Sequence, residues 1–174
     1  MRLMTSTLAT LAAVLALVDG PALKINTTDS LPRGLYRVTQ EPLSRGVLVE
    51  ECLPLELAKL ARERDYLPKG SCPGEVGTIL KQVVGLPGDR IEIGHSYVAV
   101  NGRLILNTET REKDAKGRAI PARDRGTFTL QEGEIFLLAT NSERSWDGRY
   151  MGATKVADVI ATLMPVWTEA ANGL

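Results

Sequence analysis

Apolar and polar residues change places in short runs along most of the chain, with a period near two. Thr78 to Val84 is one of the longer runs, and in an extended strand Ile79, Lys81 and Val83 share one face. It stops at Gly85-Leu86-Pro87-Gly88-Asp89, a dense turn signal. Arg90-Ile91-Glu92-Ile93 alternates again. Tyr97-Val98-Ala99-Val100 and Arg103-Leu104-Ile105-Leu106 flank Asn101-Gly102, the preferred two-residue hairpin turn because both positions take positive φ. Leu35 to Val38, Val47 to Val49, Thr127 to Leu130, Glu134 to Leu138 and Val159 to Val166 complete the predicted strands. Residues 107–126 are charged and hold Gly117 and Pro121, which predicts a solvated loop. The pattern as a whole predicts a mainly β fold of many short strands.

Two segments break the period. Leu55 to Arg64 has helical spacing, with Leu57, Leu60 and Ala61 on one face and Glu56–Lys59 and Lys59–Glu63 placed to pair. Leu3 to Val18 is uncharged and apolar apart from its Ser and Thr residues. At sixteen positions it is short against the about 17–25 residues of a membrane span. It fits a secretory core, a short anchor or a buried N-terminal helix. Val18-Asp19-Gly20-Pro21 is a poor cleavage site, which favours an uncleaved anchor. With Arg2 the only charge before it, the N-terminus stays in the cytoplasm and the rest is exported. The expected organisation is an anchor or signal segment over 1–18 and one domain over 19–174.

Composition narrows the function. The chain has 174 residues, with 21 basic and 21 acidic side chains and no net charge, so nucleic acid is an unexpected partner. There is one histidine, His95, so a multi-histidine metal site is excluded. Two cysteines are too few for an all-cysteine zinc or iron–sulfur site. Neither a metal nor a cofactor is expected. Cys52 and Cys72 bracket the helical segment. In an oxidising compartment they form one disulfide, whereas in a reducing one they are two buried thiols.

Three places could carry chemistry. Lys81 lies between two β-branched apolar residues on one strand face. Burial there lowers an amine's pKa and makes it a candidate general base, while on an edge strand the same lysine would snorkel to water. Ser30 lies in the turn-rich stretch Asn26 to Gly34, where a serine is ordinarily a cap or turn residue. Ser145, Asp147 and Arg149 are spaced by two, so an extended segment points them the same way. They read either as a braced site loop or as a surface ion pair worth about 0–1 kcal/mol.

In order, these segments resemble the sequence boxes of type I signal peptidases. The resemblance runs through Thr28-Asp29-Ser30-Leu31-Pro32-x-Gly34, Arg45-Gly46-Val47-Leu48-Val49, Leu80 to Asp89, and Asn141-Ser142-x-x-Ser145-x-Asp147-x-Arg149-Tyr150-x-Gly152. The small size, apolar N-terminus and Cys-bounded helical insertion over 52–72 look most like the TraF-type peptidases of conjugation systems. Gly148 stands where many relatives have Ser, and Leu31 where Met is common.

The resemblance implies a domain of coiled antiparallel sheets and a Ser–Lys dyad. Ser30 is the nucleophile and neutral Lys81 the base. The Ser30 amide and Thr28 hydroxyl are oxyanion donors, Ser145 hydrogen-bonds the lysine, and Asp147 and Arg149 brace the loop. It also implies a precursor protein, a pilin, as substrate, with membrane lipid contacted through the N-terminal segment. The catalytic domain is then on the periplasmic side of the inner membrane. The acyl-enzyme is resolved by water or by the substrate's own amino terminus, which gives a cyclic product. The competing readings are a non-catalytic exported scaffold and a self-cleaving Ser–Lys repressor. The latter is disfavoured by the apolar N-terminus and the lack of a DNA-binding helix pair.

Overall fold

The computed structural model describes residues 22–121 and 125–169. The expected N-terminal segment 1–18 lies outside them. Twelve strands are present among the described residues: β1 (Leu23–Asn26), β2 (Gly34–Thr39), β3 (Leu48–Glu51), β4 (Lys69–Cys72), β5 (Ile79–Gly85), β6 (Arg90–Ile93), β7 (Val98–Val100), β8 (Arg103–Ile105), β9 (Gly126–Thr129), β10 (Glu134–Leu138), β11 (Thr154–Lys155) and β12 (Val159–Thr168). Two α-helices join them, α1 (Leu55–Glu63) and the single turn α2 (Gly148–Met151). The expected strands recur with ends moved by one or two residues, while β1, β4, β11 and α2 are additional.

Seven strands pair antiparallel in the order β1-β2-β12-β3-β5-β10-β11, and four more in the order β8-β7-β6-β9. The larger sheet is strongly curled. Three strand intervals separate β1 from β3, about 14 Å if the sheet were flat. Yet Lys24 on β1 reaches the Glu50 carboxylate on β3 at 3.0 Å. The right-handed twist of paired strands supplies that curl and carries the loop after β1 toward β5.

Local chemistry fixes the corners. Asn101 and Gly102 adopt φ of 53° and 78°, as the hairpin requires. Arg45 pairs with Asp89 at 2.7 Å and donates to the Val84 carbonyl, while Asp89 Oδ2 accepts from the Leu86 amide. The Arg-Gly box and the Gly-Leu-Pro-Gly-Asp turn are thus two halves of one lock. Gly34 is required by a close approach, since a Cβ there would lie 2.2 Å from the Trp167 carbonyl oxygen.

Three apolar clusters hold the layers. Val49, Val83, Ile135 and Leu137 pack on the larger sheet. Ile91, Ile93, Val98 and Val100 of the smaller sheet pack with Leu130, Phe136 and Leu138, which joins the two sheets. Ala58 and Ala61 of α1 pack with Leu53, Cys72, Val76 and Ile79. Of the two predicted charge pairs on α1, Lys59 takes Glu56 at 2.8 Å.

Cys52 and Cys72 are bonded to each other and pin both ends of the α1 segment. The 107–121 loop is exposed but tied down. Asp114 accepts from Tyr66 and Arg118, and Arg64 donates to the Ala119 carbonyl. The two segments therefore stand as one wall. Replacing both cysteines by serine should lower stability by about 3 kcal/mol, the chain-entropy cost of a loop this size. Urea denaturation of the oxidised parent and the double variant measures the difference.

Candidate active site

Ser30 lies on the loop between β1 and β2, which is organised by one side chain. Asn26 donates through Nδ2 to the carbonyls of Thr28, Leu31 and Pro32 at 3.1, 3.0 and 3.1 Å. Its Oδ1 accepts from the Thr28 amide and hydroxyl. Tyr36 donates to the Pro32 carbonyl and Asn141 to that of Asp29. The loop is rigid because its carbonyls are claimed by these donors. No acceptor among the described residues takes the Ser30 amide proton.

Lys81 is the third residue of β5, where burial alternates strictly and Ile79, Lys81, Val83 and Gly85 are inside. The residue is 3% exposed, so it does not snorkel to water. Its Nζ lies 3.2 Å from Ser30 Oγ, across fifty-one positions of sequence. Burial holds the Lys81 amine below the usual lysine range. Asp147 and Glu51 oppose that shift, and Arg149 adds to it.

The Ser145, Asp147 and Arg149 segment is not extended. Asp147 is the N-cap of α2 and accepts from the Arg149 amide, so the chain turns into a helical turn there. Helix formation wins because the capping carboxylate satisfies an amide that an extended chain would leave buried. The surface ion-pair alternative fails as well, because Asp147 and Arg149 are both fully buried, joined at 2.9 and 3.0 Å in a two-point fork. Arg149 also donates to the carbonyls of Glu109 and Ser145, and Ala139 of the β10 end donates to Asp147. Ser145 Oγ meets Ser30 Oγ at 3.2 Å, and no hydrogen bond joins it to Lys81. Gly148 has a steric reason. A Cβ there would approach the Leu137 carbonyl oxygen to 2.7 Å and the Phe136 ring to 2.8 Å.

These groups open into a cleft of about 520 Å³ lined by Ile25, Thr28, Leu80, Tyr66, Trp146 and Tyr150, among others. One edge of β5 pairs with β3 over Ile79 to Gln82, whereas β10 pairs only with Gln82, Val83 and Gly85. The remaining edge at 79–81 has no strand partner among the described residues and faces the cleft. Among the described residues no cluster of His, Cys, Asp or Glu is arranged to hold a metal.

The profile of the family described as Signal peptidase, peptidase S26, matches residues 2–168. The chain belongs to the signal peptidase family. It is 36% identical over 146 residues to a plasmid transfer protein TraF of Escherichia coli, covering 83% of this chain and 82% of that one. It is 34% identical over 90 residues to signal peptidase I of Bacillus caldolyticus, covering 47% and 48%. A solved signal peptidase I from Enterococcus faecalis V583 covers 72% of this chain and 100% of its own, with a TM-score of 0.41 and 20% identity, a likeness too distant to argue from.

Glu51 was not visible in the sequence as a site residue. Its carboxyl is fully buried on β3, and burial pushes it up to about 7. A Glu-Glu doublet at a strand end reads simply as polar termination.

Two outcomes follow from the buried charges. Lys81→Met should raise stability at neutral pH, because the unfolded lysine binds a proton that the native one binds less well. The gain disappears as pH rises to the ordinary lysine value near 10.4, and urea melts across pH 6–10 check it. Asp147→Ala should cost about 3–5 kcal/mol, since it strands a buried guanidinium, and the same melts read that loss.

Proposed function

We propose that this chain is a serine endopeptidase that cleaves an exported precursor through an acyl-enzyme on Ser30, with Lys81 as general base. The observation that carries the reading is the 3.2 Å approach of a buried, low-pKa amine to a serine hydroxyl at the floor of a cleft. A packed core between the two would have favoured the scaffold alternative.

The substrate adds as an extended strand along the open 79–81 edge of β5, where main-chain groups are free to pair. Ser30 Oγ attacks the scissile carbonyl as its proton passes to Lys81 Nζ. The oxyanion takes the free Ser30 amide. The Thr28 hydroxyl, now directed at Asn26 at 2.8 Å, becomes a second donor by rotating about its Cα–Cβ bond. The C–N bond breaks as the Lys81 ammonium protonates the leaving amine. A water, or the substrate's own amino group, then gives a proton to Lys81 as it attacks the ester, and Lys81 returns that proton to Ser30 Oγ as the ester bond breaks. Water yields an acid and the amine a ring. Ser145 orients the Ser30 hydroxyl, and Asp147 and Arg149 keep that loop in place.

The TraF relatives, plasmid and conjugal transfer proteins by name, support a role in conjugation. In this reading the precursor is a pilin subunit. Residues 1–18 anchor the chain and 19–174 form the periplasmic catalytic domain, with 52–72 as its insertion. No helix among the described residues is long and apolar enough to cross a membrane. Exposed Leu23 and Ile25 on β1, with Met164 and Trp167 on β12, support a seat close to lipid.

Co-expression with candidate pilin precursors tests the reading. Ser30→Ala and Lys81→Ala should each lower processing at least about 10³-fold while the protein still folds. Wild-type processing by either variant sinks the dyad. Mass spectrometry of the product separates the two fates, since the ring is one water lighter than the linear acid.

A further inference from the structure

Four carboxylates are buried among the described residues, and three have a cation of their own. Glu50 is paired with Lys24, Asp89 with Arg45 and Asp147 with Arg149. Glu51 has no salt bridge, and its Oε1 has no hydrogen-bond partner. Its carboxyl is hydrogen-bonded by Thr154. As packing, this arrangement is poor, because an apolar side chain would fill the same space without the desolvation cost.

The ladder shows where the charge is directed. Val49 lies opposite Lys81, and Glu51 lies opposite Ile79. Glu51 is two residues on from Val49, so it shares the Lys81 face as a diagonal neighbour, within reach of a long side chain. The other charged groups around the two are Asp147 and Arg149 after β10 and Asp158 in the turn before β12. Asp147 and Arg149 are paired in their fork, so the Asp147 charge is already committed to a cation. Asp158 acts on Glu51 by repelling its charge. Asp147 thus acts on Lys81 with Arg149 opposing it, whereas Glu51 is the carboxylate near Lys81 that has no cation of its own.

We propose that Glu51 is a positioning residue for Lys81, its carboxylate set diagonally across the β3–β5 ladder to favour the ammonium formed when Lys81 takes the Ser30 proton. The inference rests on the Ser30–Lys81 reading. Burial alone makes the lysine easy to deprotonate but a weak base. Glu51 restores basicity at the moment of transfer, and it does so only when ionised, which places its contribution at and above neutral pH.

The test is the pH dependence of Ser30 labelling by a fluorophosphonate, measured on the full chain in detergent micelles. In Glu51→Gln the acid limb should move to lower pH by about 1–2 units, and the high-pH rate should fall several-fold as the base weakens. Glu51→Asp keeps the charge and should hold the limb within a few tenths of a unit of the parent. Thr154→Val removes the hydrogen bond that favours the Glu51 carboxylate, so its limb should also move down, without altering a charged residue. It serves if Glu51→Gln does not fold. An unmoved limb in both Glu51→Gln and Thr154→Val, or a limb moved upward, overturns the role of Glu51. Labelling of Lys81→Ala at the parent rate overturns the dyad instead, and Glu51 loses its role with it.

Discussion

The site depends on the buried Asp147–Arg149 pair. One guanidinium takes up the carboxylate that caps α2, the Ser145 carbonyl and the Glu109 carbonyl of the charged loop, while the carboxylate holds the end of β10. Ser145 is thereby fixed against Ser30. A pair of this kind adds little net stability compared with apolar packing, yet losing one partner is costly. It acts as a constraint, because three loops can be satisfied only in one mutual arrangement.

The second element of the design is a charge balance on one sheet face. Burial lowers the pKa of Lys81, and the charged groups around it act in opposite directions. An amine in an apolar strand is a poor way to stabilise a sheet and a good way to hold a base at neutral pH. The same holds for Glu51, which lacks a cation of its own. Strain of this sort is carried by the apolar clusters on either side, where Val49, Val83 and Leu137 are fully enclosed.

Strands such as β5 and β6 were legible because one face is buried more deeply than the other, and that burial writes a period of two into the sequence. That period also exposed Lys81 as an anomaly, and the Asn101-Gly102 turn declared its own geometry. Ser30 was legible only through resemblance. Its approach to Lys81 comes from the curl of a seven-stranded sheet, a property of the whole assembly that no local window contains. The spacing of Ser145, Asp147 and Arg149 misled for a related reason. A spacing of two suits a strand, but a capping aspartate turned the chain into a helical turn. Glu51 needed the ladder register itself, since only the pairing with Ile79 puts its side chain beside the lysine.

The open edge of β5 has a cost that catalysis does not reveal. An unpaired strand edge is a template for any other extended chain, including a second copy of the same protein. Here the edge is recessed in a space of about 520 Å³ lined by Ile25 on β1 and Thr28 after it, by Tyr66 with Lys113 and Ile120 of the tethered 107–121 loop, and by Trp146. That recess has room for a few residues of one flexible chain, whereas a folded sheet edge brings its neighbours with it. The walls that frame the cleft therefore also guard against aggregation, by admitting threads and refusing sheets.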